Sequence, residues 1–180
     1  NNVIDDIFKL INSFDMQRLR DIKQLSFAQY RYPDATHTRF SHSIGLAYLV
    51  SKVLYEKNYG SDIESIETSD KNNTIFAALL HDVGHGPLGH VLDKFYDRIK
   101  ISDQHENFTK GLIEGDLIDL GEVTNKIHCN KNQIKNTVLF NSTEDLGSED
   151  YEYEDKSHLM WLITDYALDL DRIDFLMRDL

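Results

Sequence analysis

His81 and Asp82 follow directly on an apolar run, Ile75-Phe76-Ala77-Ala78-Leu79-Leu80. An imidazole and a carboxylate at the end of a buried helix are costly unless something pairs with them. Imidazole nitrogen and carboxylate oxygen are good donors to zinc, iron, manganese and related divalent ions. The adjacent pair offers two ligands, and a first-row ion needs at least two more. Upstream, Thr38-Arg39-Phe40-Ser41-His42-Ser43 puts an arginine and a histidine at one helix start. Downstream, Asp169-Leu170-Asp171-Arg172-Ile173-Asp174 sets aspartates in an otherwise apolar helix. His42, His81, Asp82 and Asp171 make a candidate four-ligand set with positions left for water, and Asp169 and Asp174 compete for the last place. Gly84, Gly86 and Gly89 beyond the pair let backbone come close to an anion. His37, His128 and His158 read as ordinary structural histidines, and one Cys-His neighbour pair at His128-Cys129 is not a metal motif.

The elements that must position these residues are helical throughout. Val3 to Phe14 carries a broad apolar face, and Asp15 can cap a second helix with Met16, Leu19, Ile22 and Leu25 at three-residue steps. Pro33-Asp34 marks a break, and a longer helix is expected from about Thr38 to Lys57. Asn58 to Asn73 is polar and reads as a surface loop, after which Thr74 can cap the buried helix Ile75 to Asp82. Helical patterns resume at Val91–Ile99 and Glu106–Ile118. Gly121 to Lys135 is polar and weakly patterned, and a last helix is expected over Ser157 to Leu180. From Glu144 to Asp155 there are seven acidic side chains and no basic one, a solvated loop. The reading is one all-α domain over residues 1–180, a helical bundle around a metal site, with loop-like insertions at 58–73 and 121–156. The chain stops at Leu180 still in helical pattern, which reads as part of a longer protein.

Composition narrows the function classes. Apolar residues are 41 % of 180, enough for a real core. No apolar run approaches the roughly 20 residues that span a bilayer, and Asn1–Phe14 lacks a basic signal-peptide start. Cys129 is the single cysteine, so no internal disulfide forms, and cytoplasm or nucleus is favoured. The net charge of −12 argues against a duplex DNA binder but not against a small anion held by a local cationic pocket and a metal.

Longer strings carry a resemblance. Arg18-Leu19-Arg20-Asp21-Ile22-Lys23-Gln24-Leu25, Thr38 to Gly45, His81-Asp82-Val83-Gly84-His85-Gly86-Pro87, His105-Glu106 and Asp169 to Asp174 appear in the order found in HD phosphohydrolases. The chain most resembles the deoxynucleoside triphosphate triphosphohydrolase branch, of SAM-and-HD-domain type. The resemblance implies an HD-domain helical bundle whose metal, zinc, iron, manganese or nickel, is held by His42, His81, Asp82 and Asp171, with magnesium on the substrate phosphates. It implies catalytic roles for His105, His85 and Asp82, with His105 as general acid. Arg39, His85, His90 and Arg172 would contact phosphate, Gln24, Leu25 and Phe175 would line the sugar, and Asp179 would bind the 3′-hydroxyl. Phe175 stands where some relatives have tyrosine, so the ring remains and its hydroxyl is lost. Arg18 and Arg20 match effector-binding positions in some relatives and equally suit a helix surface. The implied reaction takes a dNTP to deoxynucleoside and inorganic triphosphate, in a homo-oligomer. Two alternatives stay open: an HD phosphohydrolase acting on a monophosphate, cyclic nucleotide or alarmone, and a non-catalytic nucleotide-binding module.

Overall fold

The structure is a computed structural model that describes residues 2–56, 61–98, 105–115, 119–139, 159, 162–163 and 169–179. The described residues are almost entirely helical: α1 (Val3–Ile11), α2 (Phe14–Gln17), α3 (Arg39–Tyr55), α4 (Ser61–Glu64), α5 (Thr68–Leu80), α6 (His90–Arg98), α7 (His105–Glu114), α8 (Asp119–Lys126), α9 (Lys131–Leu139) and α10 (Leu170–Asp179). Two 3₁₀ turns, Arg18–Asp21 and Ser26–Tyr30, link α2 to α3, and an isolated Lys23–Thr38 bridge is the only β pairing among the described residues. None of the described helices is long and apolar enough to cross a membrane.

The apolar run before His81 does what its composition requires. Ala77, Ala78, Leu79 and Leu80 are completely buried, with α3 and α9 packed on α5. Leu46, Val50 and Leu54 of α3 join Phe76 and Leu79 of α5, Ile113 of α7, Leu120 of α8 and Ile134 of α9 in one cluster. Helix α10 lies against α3. His81 and Asp82 therefore sit at the end of this buried helix, against a close-packed core.

Several local expectations change. Helix α1 ends at Ile11, because the Ser13 hydroxyl donates to Leu10 O at 2.7 Å and accepts from Met16 N, capping α2 instead. Asp15 is not a cap: it is buried and accepts the Leu120 amide at 2.9 Å, tying α2 to α8. The segment after it is 3₁₀ rather than α. Met16 before this turn, Leu19 within it and Ile22 just after it are all buried.

The larger differences are in the stretches read as loops. Helix α5 begins at Thr68, so Asp70, Lys71 and Asn73 are helical and buried, and Thr74 lies inside the helix with its hydroxyl on Asp70 O at 2.8 Å. Residues 119–126 and 131–139 form α8 and α9. The two polar stretches cover one another. Asn73 Nδ2 donates to Gln133 Oε1 at 2.7 Å, Asn73 Oδ1 accepts the Asn130 amide at 3.0 Å, and Gln133 Nε2 donates to Asp70 Oδ1 at 3.2 Å. A helix interface made of amides leaves no apolar period to read. The expected last helix is interrupted, since Leu162 and Ile163 lie in a turn and the Leu170 amide donates to Leu162 O. The acidic stretch 144–155 lies outside the described residues.

Asn73→Ala tests this interface. It removes the partners of a backbone amide and a partly buried glutamine, so urea unfolding is expected to show a loss of about 1–3 kcal/mol. A surface-loop asparagine would stay within about 0.5 kcal/mol.

Candidate metal centre

Three elements build the centre. Helix α3 starts in a capping box: Thr38 Oγ1 accepts the Ser41 amide and Ser41 Oγ accepts the Thr38 amide. That fixed start puts Arg39 and His42 one turn apart on the same, buried side. At the far end of α5, the His81 Nδ1–H donates to Ala78 O at 2.8 Å. The bond leaves the Nε2 lone pair of His81 turned away from its own helix, buried and with no hydrogen-bond partner. In α10 the three competing aspartates have three different tasks. Asp169 caps the helix, accepting the Arg172 amide at 2.7 Å. Asp171 Oδ1 lies 2.7 Å from His42 Nε2, and Asp174, one turn on, accepts from His42 Nδ1 at 2.7 Å.

His42, His81 and Asp171 each bring one donor atom to within 4.8 Å of the others, and the two imidazoles meet edge to face at 5.1 Å. Donors on one divalent ion, at about 2.0–2.2 Å each, stand about 2.8–4.4 Å apart. The orphaned Nε2 of His81 and the nitrogen–oxygen donor set fit such an ion. Asp82 borders the triad, 3.5 Å from His81 Nε2 and 4.0 Å from His42 Nε2. Its Oδ2 accepts from Arg39 Nη1 and its Oδ1 is 3.3 Å from His85 Nε2.

The electrostatics follow from this crowding. Burial works against protonation of His42, but hydrogen bonds to Asp171 and Asp174 and the charges of Asp82 and Asp171 outweigh it and push the imidazole up to about 9. Burial also opposes ionisation of Asp82, yet His81, Arg39, His85 and His42 together hold its carboxyl well below the usual range. Asp174 is likewise lowered against its burial by His42 and Arg178.

The loop after Asp82 is held from two sides. Arg18 donates to the carbonyls of Val83 and His85, and the Gly84 amide donates to Thr109 Oγ1 of α7 at 3.0 Å. Gly89 has a positive φ, and a Cβ there would press on Arg39 Nη2. Arg18 is thus turned inward on the loop, and Arg20 stacks on Phe40 at 3.8 Å from the ring centre.

The other expected residues are placed as follows. His85 is buried beside Asp82. Arg39 is also buried, with its guanidinium engaged with Asp82. Arg172 is partly exposed, and Phe175 is half-buried. Leu25 lines a cleft of about 660 Å³ with Ala28, Arg31, Tyr32, Pro33, Asp34, Ala35 and Arg178. Beside it, the buried Oε1 of Gln24 has no hydrogen-bond partner. His90 and His105 open α6 and α7 and Asp179 ends α10, but their side chains lie outside the described residues. Sequence reasoning missed Arg178, Gly45 and Thr109. Only Arg178 had a local signal, as the i+4 partner of Asp174.

Residues 39–176 match the HD domain family, a range that contains His42, His81, Asp82, Asp171 and Asp174. This chain belongs to the HD domain family. HD domains bind divalent metal ions, and the family is one of metal-dependent phosphohydrolases. The uncharacterized protein YwfO of Bacillus subtilis is 32 % identical over 173 residues, 96 % of this chain and 35 % of that protein. The deoxynucleoside triphosphate triphosphohydrolase SAMHD1 homolog of Dictyostelium discoideum is 34 % identical over 122 residues, 66 % of this chain and 24 % of its own length. The bovine SAMHD1 is 38 % identical over 87 residues, 48 % of this chain and 15 % of that enzyme. This HD domain spans little more than a third of the relatives it matches over nearly its full length.

With His42 at about 9, the ion-free HD domain carries a proton there at pH 7, and an ion held at Nε2 must displace it. Metal affinity should therefore climb about tenfold per pH unit from pH 7 to about 9, then level off. Calorimetry in buffers of different ionisation enthalpy should read about one proton released per ion at pH 7. A flat pH profile would place the ion away from His42.

Proposed function

We propose that this HD domain hydrolyses deoxynucleoside triphosphates to deoxynucleoside and inorganic triphosphate. The observation that carries the reading is the convergence of His42, His81 and Asp171, from α3, the end of α5 and α10, with Asp82 alongside. Similarity to two relatives named as deoxynucleoside triphosphate triphosphohydrolases supports the substrate class. When bound, a divalent ion would supply Lewis acidity, polarising a phosphoryl oxygen and lowering the pKa of bound water towards neutrality.

The chain's own groups do the rest. His42, His81, Asp82 and Asp171 hold the ion. Arg39 keeps Asp82 ionised and, with Arg172, adds positive charge where the phosphate chain gains negative charge in the transition state. His85 and His90 face the phosphates, and magnesium accompanies them. His105 gives a proton to the departing 5′-oxygen. The base and sugar lie towards Gln24, Leu25 and Phe175, and Asp179 takes the 3′-hydroxyl. The unpartnered Oε1 of Gln24 supports that side of the reading, since a sugar hydroxyl would satisfy it. The full protein works as a homo-oligomer.

Phe175 favours a second reading, since without a phenol hydroxyl the ring excludes a 2′-hydroxyl by bulk alone. On that reading the substrate is another phosphate ester, such as a nucleoside monophosphate, a cyclic nucleotide or a guanosine alarmone.

Ion-exchange analysis of products separates the two. The full-length protein is incubated with each dNTP and its NTP, with manganese, magnesium or chelator. Metal-dependent release of deoxynucleoside and triphosphate is expected, and the dNTP/NTP ratio reports what Phe175 does. His105→Ala should keep its metal and lose about 100-fold or more in turnover. No turnover of any dNTP by the metal-loaded protein would move the assignment to the other esters.

A further inference from the structure

His42 is held at both nitrogens, and the partner on the far side of its ring from the metal centre has no role so far. Its Nδ1 donates to Asp174 Oδ2 at 2.7 Å. Arg178 grips the same carboxylate in a fork, Nε on Oδ2 at 2.6 Å and Nη2 on Oδ1 at 3.1 Å. Both oxygens of Asp174 are therefore engaged, on the side of the imidazole opposite Asp171 and Asp82. That arrangement excludes Asp174 as a metal ligand while His42 keeps its place. An ionised carboxylate only accepts, so the Nδ1 position must carry the hydrogen.

The space for this pair is provided by a glycine. Gly45 lies one turn beyond His42 on α3, and a Cβ built there would fall well inside contact distance of both Asp174 Oδ1 and Arg178 Nη2. Any side chain at 45 would have to expel the pair or separate α3 from α10. Asp174 is in turn one helical turn beyond Asp171, so one face of α10 carries both a metal-facing carboxylate and the carboxylate behind the histidine.

We propose that Asp174, clamped by Arg178 in the space left by Gly45, is a positioning residue that fixes the ring and tautomer of His42 so that its Nε2 lone pair faces the metal. The proposal rests on the assignment of His42 as a metal ligand. A carboxylate behind a ligating imidazole fixes its orientation and raises its basicity, and losing one costs about 10–100-fold in metal affinity.

The test is titration of the metal-stripped full chain with Co²⁺, followed by its visible d–d absorption, with thermal unfolding of each ion-free variant as a control. Wild type should bind Co²⁺ and His42→Ala should lose it. A wild type whose Co²⁺ binding is indifferent to His42→Ala defeats the metal assignment itself, whatever Asp174 does. Asp174→Leu fills the space without an acceptor and should bind about 10–100-fold more weakly with shifted bands. Asp174→Asn keeps an acceptor oxygen and should recover the wild-type bands and most of the affinity. Gly45→Ala should weaken binding in the same direction as Asp174→Leu. Arg178→Met, outside the reach of the ion, should show a smaller loss, and it decides the matter if Asp174→Leu does not fold. Wild-type affinity and unchanged bands in Asp174→Leu, or in Arg178→Met where the former is unfolded, overturn the proposal.

Discussion

The structure depends on burying Arg39, His42 and Asp82 together at the end of an apolar helix. A lone buried ion costs several kcal/mol, and removing one partner of a buried pair typically costs about 3–5 kcal/mol. Here each charge has a partner: Arg39 on Asp82, His42 between Asp171 and Asp174, Asp174 on Arg178. A proton on His42 and a divalent cation are alternative ways to balance the same carboxylates. The centre is therefore both a ligand site and a fastening, because it joins α10 to α3 across 132 residues of chain.

Around that fastening the helices divide into two kinds. Those carrying the apolar core, α3 and α5, set the distances between the site residues. Those that look polar in sequence, the start of α5 and α9, meet partly through polar side chains, while Ile134 of α9 reaches the apolar core. Arg18 and Thr109 then hold the loop after Asp82 by its backbone. Backbone contacts of this kind place His85 without constraining the identity of the loop residues between them.

The cleft beside the centre is tied to the same geometry. Arg178 belongs both to the clamp on Asp174 and to the wall of the cleft lined by Leu25, Tyr32 and Ala35. Cleft and candidate metal centre thus share one side chain.

The sequence by itself determined that the protein is all helical, that His81 and Asp82 end a buried helix, and that Thr38 starts the helix bearing Arg39 and His42. These are local signals: an apolar run, a helical pattern that resumes after Pro33-Asp34, and polar groups too costly to bury alone. The order of the longer strings also pointed to the HD family. Only the tertiary structure decided which aspartate of Asp169, Asp171 and Asp174 meets which nitrogen, because the choice depends on the angle at which α10 crosses α3. It also turned Asp15 from a cap into the partner of Leu120, turned Arg39 onto Asp82, and made helices of stretches that read as loops. The physical reason is common to all of these. Their partners lie far away in the chain and are polar, and a polar surface satisfied by another polar surface leaves no periodic pattern in either segment alone.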